Sequence, residues 1–126
     1  MDLTGAIALV IGVYALAAAA AVGGRPGKLE AMMKDFSDRP GLAFSIGVLV
    51  YFLSAAGLIA HHGLGDWRAV VITVVLALSA IEGLSLMVIP RPFLGVASSL
   101  LSPGRARIWA GFAGLLGVAL IVLAFL

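Results

Sequence analysis

Four long apolar stretches dominate the pattern of the chain. They cover residues 4–22, 42–60, 67–89 and 108–126, and each has about the 20 residues that a helix needs to cross ~30 Å of hydrocarbon. Because lipid cannot satisfy backbone polar groups, each stretch is predicted to be a transmembrane helix. None of them alternates polar and apolar residues, which argues against a β-barrel. The pattern predicts one all-α membrane domain, a four-transmembrane-helix bundle.

The segments between these stretches have helical patterns of their own. Four large apolar residues of the first connection recur on one face of a helix: Leu29, Met32, Met33 and Phe36. This spacing predicts a short amphipathic helix over residues 28–37. The helix lies in the membrane interface and is bounded by Pro26 and Pro40. A similar spacing predicts a second interfacial segment over residues 92–101, ending before Pro103. For both segments, packing against the bundle or lipid headgroups is favoured over binding a partner.

The two halves of the chain form a weak repeat. The Arg-Pro pair at residues 25–26 recurs at residues 91–92, Pro40 corresponds to Pro103, and Gly47 corresponds to Gly111. Each half is therefore a span, an interfacial helix and a second span. A unit with two spans repeats in parallel, about an axis along the membrane normal. The predicted bundle consists of two such parallel helix–interfacial helix–helix repeats.

The charges of the chain indicate its orientation. Of 126 residues, 63% are hydrophobic and only 11% are charged, unlike a soluble domain. Seven of the eight basic residues lie in the first and third connections: Arg25, Lys28, Lys34, Arg39, Arg91, Arg105 and Arg107. The positive-inside rule places these connections in the cytoplasm and both termini in the periplasm of a bacterial inner membrane, with Trp67 and Trp109 as interfacial anchors. Topology explains the basic residues, so no nucleic-acid partner is predicted. The first stretch lacks a basic n-region, which favours a retained helix over a signal peptide.

Glu82 is the only carboxylate inside an apolar stretch, and a charge in hydrocarbon needs a partner. A rise of 1.5 Å per residue places it about 12 Å from the cytoplasmic end of its helix, with Tyr14 and Tyr51 at about 13–15 Å in the first two spans. Ser79 and Ser85 flank it at three residues. One interpretation is a proton or cation relay. The favoured one is a protonated structural acid that is hydrogen-bonded to a tyrosine or serine, lies within reach of a tyrosine of the first or second span and does not face lipid, because no proline breaks a span.

Other side chains suggest packing more than chemistry. The fourth stretch carries small residues that allow close helix approach: Ala110, Gly111, Ala113, Gly114 and Gly117. His61, His62 and Asp66 are conceivable metal ligands. However, adjacent helical residues point apart and the ligand set is incomplete, so no metal site is predicted and the histidines are expected to be interfacial and solvated. The chain has no cysteine and no catalytic motif, and neither a cofactor nor an enzymatic activity is predicted.

Several short motifs of the chain resemble those of a known group of proteins. Residues 34–40, His61-His62, Trp67, Glu82-Gly83 and Pro90 are similar to an uncharacterised family of small four-helix bacterial inner-membrane proteins. The resemblance covers about half the chain and implies the architecture alone. The family pattern usually has Asn at the position of His62 and a lysine near the position of Glu82.

These patterns favour a non-catalytic membrane protein. The preferred interpretation is an accessory or structural subunit that contacts membrane lipids and packs with itself or with a larger membrane protein complex. The alternative is a small proton- or cation-coupled transporter or channel that uses Glu82. A membrane enzyme ranks third.

Overall fold

The described part of the chain is helical. The computed structural model describes residues 1–25, 27–100 and 105–126. Its six helices, in chain order, are α1 (Leu3–Gly23), α2 (Lys28–Asp38), α3 (Pro40–Ala60), α4 (Trp67–Val88), α5 (Pro90–Leu100) and α6 (Ala106–Ala124). Helices α1, α3, α4 and α6 contain segments long and apolar enough to cross a membrane. The prediction of an all-α protein with four long apolar helices is confirmed for the described residues.

The helix bounds lie within one or two residues of the predicted segments. Pro40 is the first residue of α3 and Pro90 the first of α5, positions where a helix does not need the backbone N–H that proline lacks. The second interfacial segment is a helix as far as Leu100. Pro26, Leu101 and Pro103, which were predicted to border the interfacial elements, lie outside the described residues.

Two carboxylates cap the N-termini of α1 and α4. The Gly5 N–H donates to Asp2 Oδ1 at 2.8 Å at the start of α1, and the Ala69 N–H donates to Asp66 Oδ1 at 2.7 Å at the start of α4. Each cap satisfies one of the N–H groups that the first turn leaves without a helical partner, and is worth about 1 kcal/mol.

The chain divides into two compact units. Unit 1 comprises residues 1–32 and 98–126, and unit 2 comprises residues 33–97. In unit 1 helix α1 packs against α6, and in unit 2 helix α3 packs against α4. Each unit therefore contains one pair of apolar helices.

The α1–α6 pair is antiparallel and brings two backbones into contact. Gly5 lies beside Ala124, and Gly12 lies beside Gly117. A Cβ atom on Gly117 would be 2.8 Å from the Gly12 carbonyl oxygen. The buried face of α1 contains only small residues, at alternating spacings of three and four: Gly5, Ala8, Gly12 and Ala15. Small residues permit this approach, which is how helices gain van der Waals contact in lipid.

The α3–α4 pair is built in the same way. It is antiparallel, because Gly47 lies beside Gly83 and Gly57 lies beside Leu76. A Cβ atom on Gly83 would be 2.8 Å from the Gly47 carbonyl oxygen and 2.6 Å from the Tyr51 backbone nitrogen. Ile72 and Leu76 of α4 complete the buried face at the other end of the pair. The backbone contact at Gly83 fixes the rotation of α4 against α3.

Candidate functional site

Glu82 lies one residue before the glycine at the centre of the α3–α4 crossing. Gly83 is buried against α3, whereas the Glu82 side chain is exposed. Successive residues of a helix are about 100° apart, so Glu82 lies on the flank of α4 and not in the contact with α3. The tight crossing therefore determines where the carboxyl group is presented.

Tyr51 is level with Glu82 along the helix pair. The Tyr51 backbone nitrogen lies 2.6 Å from the position that a Cβ atom on Gly83 would occupy. Its ring packs edge-on against Phe52, with centroids 5.6 Å apart. The predicted common depth of Tyr51 and Glu82 agrees with this placement.

The predicted polar cluster does not form a network within unit 2. The Ser79 hydroxyl donates to the Val75 carbonyl at 2.9 Å, and the Ser85 hydroxyl donates to the Ile81 carbonyl at 2.8 Å. Each serine thus donates to a free lone pair on the backbone carbonyl oxygen four residues earlier in its own helix. Among the described residues of unit 2, Glu82 has no hydrogen-bond or ion-pair partner.

Glu82 has no tyrosine partner within the described residues of unit 2. No hydrogen bond joins Glu82 to Tyr51 within the described residues of unit 2. Tyr14 belongs to unit 1, on α1, and is 72% exposed. A hydrogen bond from Tyr14 to Glu82 stays a prediction.

A buried histidine lies where the α3–α4 loop begins, which corrects the expectation that both histidines are solvated. His61 is only 7% exposed. The Thr73 hydroxyl of α4 donates to the Gly63 carbonyl at 3.1 Å and lies 3.3 Å from His61 Nδ1. A hydroxyl has one hydrogen to donate, so both bonds form together only when His61 Nδ1 carries its proton. Thr73 thereby ties the loop to α4.

The conceivable metal ligands are engaged with their own backbone. His62 is exposed, and its Nδ1 atom is 3.1 Å from the Leu58 carbonyl oxygen. The Asp66 carboxylate caps α4 through the Ala69 N–H. No group of three His, Cys, Asp or Glu side chains that could hold a metal ion occurs among the described residues.

The small residues predicted to pack in the fourth span differ in their surroundings. Gly117 lies in the crossing with Gly12. A Cβ atom on Gly114 would be 3.7 Å from that of Ala19, and one on Gly23 would be 3.5 Å from that of Ala110. Ala113 is half-buried. Gly111 differs, because no described atom apart from its own stretch of helix backbone lies within 4 Å of its Cβ position.

The residues assigned to the membrane interface lie on accessible surfaces. Trp67 begins α4 and is exposed, and Trp109 packs edge-on against Phe112 near the start of α6. Helix α2 has no buried residue: Met32 is exposed, and the other members of its apolar face are half-buried, namely Leu29, Met33 and Phe36. This apolar face is only partly covered, and its contact with lipid stays a prediction.

Comparison with known proteins does not assign the chain to a family. No family model matches the chain, and no curated protein or solved structure matches it. The resemblance to small four-helix inner-membrane proteins therefore stays a prediction.

Proposed function

We propose that this protein is a non-catalytic, multi-pass protein of the bacterial cytoplasmic membrane. It acts as an accessory or structural subunit that packs with itself or with a larger membrane complex. The observation that carries the proposal is the set of hydrogen bonds made by the polar residues in unit 2. A proton relay needs connected donors and acceptors, but Ser79 and Ser85 each bond only to their own helix.

The exposed helix faces agree with a packing function. Large apolar side chains project from the side of α4 that is turned away from α3, among them Leu78, Ile81 and Val88. Lipid can cover such a face, but the exposed carboxyl group of Glu82 borders it. A carboxyl group in hydrocarbon favours a protein neighbour that offers a hydrogen-bond donor.

The proposed topology follows from the charges. The basic residues of the first and third connections support a cytoplasmic position for α2 and α5 and a periplasmic position for both termini. The α1–α6 and α4–α3 pairs correspond to one another under the proposed repeat, and both are antiparallel with a glycine–glycine crossing. The antiparallel pairing supports the two parallel repeats. The crossing glycines are not equivalent in the two pairs, because Gly47 corresponds to Gly111, which does not lie in a crossing among the described residues.

Native mass spectrometry of the protein in a mild detergent, or in membrane nanodiscs, tests the proposed function. The expected spectrum contains an assembly of more than one polypeptide, and the masses released from it identify a second copy or a partner. A spectrum that contains only the monomer with bound lipid would contradict the accessory-subunit function.

A flux measurement distinguishes the accessory-subunit function from the transporter alternative. The transporter alternative rests on the position of Glu82 within a span. Purified protein is reconstituted in vesicles loaded with a pH-sensitive dye, and Glu82→Gln serves as the matched variant because it retains hydrogen bonding without proton exchange. The accessory-subunit function predicts the same low flux from both proteins. Proton or cation flux that the wild type has and Glu82→Gln lacks would favour the transporter.

A further inference from the structure

We propose that Glu82 docks a transmembrane helix of another protein, and that this helix carries a lysine or arginine at the depth of Glu82. The inference rests on the accessory-subunit function proposed above and adds the chemistry of the partner. It follows from the position of the carboxyl group, the surface around it and the distribution of cations in the chain.

The carboxyl group cannot withdraw into the α3–α4 contact. Turning α4 by the ~100° that separates neighbouring residues would place Glu82 where Gly83 now lies. At that position even a single Cβ atom would be 2.6 Å from the Tyr51 backbone nitrogen. Only glycine fits there, so the backbone crossing holds Glu82 on the flank of α4.

The flank of α4 that includes Glu82 has the spacing of a helix-packing surface. Its residues follow intervals of four, three, four, three and four: Val71, Val75, Leu78, Glu82, Ser85 and Ile89. Alternating intervals of this kind form the seam of two packed helices. Leu78 is 61% exposed and Ile89 is 50% exposed, and the Ser85 hydroxyl is already bonded to its own helix. Glu82 is the one polar group of this flank that lacks a partner within the described residues of unit 2.

Charge complementarity identifies the occupant of this flank. Six of the eight basic residues lie outside the spanning helices. The other two, Arg68 and Arg107, are each the second residue of a spanning helix. The chain therefore has no cation at the depth of Glu82. A second copy would bring a second carboxylate and no cation, whereas a lysine or arginine from another protein would pair with the carboxylate.

A synthetic helix provides a direct probe. The fluorescently labelled protein is reconstituted in vesicles with a Leu/Ala transmembrane peptide that carries one lysine about 12 Å from the cytoplasmic end. Energy transfer measures the association. We expect about tenfold tighter association than with the peptide that has leucine at this position. The difference should vanish in Glu82→Leu and when the lysine is moved by two turns. Equal association of the lysine and leucine peptides with the wild type would overturn the inference.

Native mass spectrometry of Glu82→Leu separates this inference from the function on which it rests. Leu84→Ala, on the other flank of α4, is the matched control, and circular dichroism checks that each variant keeps its helices. A complex with a different protein that Glu82→Leu loses and Leu84→Ala keeps would support the inference. A complex that both variants retain would overturn the inference and leave the accessory function intact. An assembly of identical chains that depends on Glu82 would also overturn it, in favour of a second copy. A monomer in all three samples would overturn both.

Discussion

At the residue scale, side chains three residues apart do not necessarily meet. The sequence places Ser79 and Ser85 beside Glu82, but each hydroxyl bonds to a carbonyl of its own helix at 2.9 Å or less. That acceptor is present at every position of a helix, so it competes with any neighbouring carboxyl group. The Thr73 contact with His61 was not predictable, because Thr73 lies within an apolar stretch and its partner is 12 residues away.

Thr73→Val should lower the free energy of unfolding by about 1–2 kcal/mol. The substitution keeps the shape of the side chain but removes the hydrogen bonds to the Gly63 carbonyl and to buried His61. Denaturant unfolding in detergent micelles measures the change. Ser45→Ala is the control, because the Ser45 hydroxyl is exposed and bonds only to the Gly41 carbonyl. Equal losses in the two variants would contradict a role for Thr73 in holding the loop.

At the scale of the elements, length and hydropathy determined the four spans, and their ends were predictable from local chemistry. Pro40, Asp66 and Pro90 begin or cap helices within two residues of the predicted bounds. The pairing of the helices was not predictable. The chain has 16 glycines, and composition does not distinguish Gly117, which contacts the Gly12 backbone, from Gly111, which faces open space among the described residues.

Gly83→Ala should destabilise the α3–α4 pair by about 2 kcal/mol or more. The added Cβ atom would meet the backbones of Gly47 and Tyr51 at 2.6–2.8 Å, and backbone atoms cannot move aside as a flexible side chain can. The unfolding midpoint in micelles reports the effect.

Gly111→Ala is the matched control for this substitution. No described atom apart from its own stretch of helix backbone lies within 4 Å of its Cβ position, and alanine is the better helix former by about 0.5–1 kcal/mol. We expect an unchanged or slightly raised midpoint. If the two alanine variants unfold alike, the glycine crossing is not what brings α3 and α4 together.

At the scale of the whole molecule, the topology rests on the distribution of basic residues, and the absence of cysteine in the chain makes it directly testable. In Gly65→Cys the thiol lies in the α3–α4 loop, and in Ser37→Cys it lies in α2. A membrane-impermeant maleimide should label Gly65→Cys in cells with a permeable outer membrane. It should label Ser37→Cys only after the inner membrane is opened. The opposite pattern would reverse the proposed orientation.

The mass of the protein as it leaves the membrane tests the accessory function most directly. Native mass spectrometry after gentle extraction should find the 126-residue chain bound to at least one further polypeptide. If Glu82 docks this polypeptide, it is a different protein with a basic residue inside a transmembrane helix. A monomer that carries only lipid, found consistently across mild detergents and nanodiscs, would contradict the account.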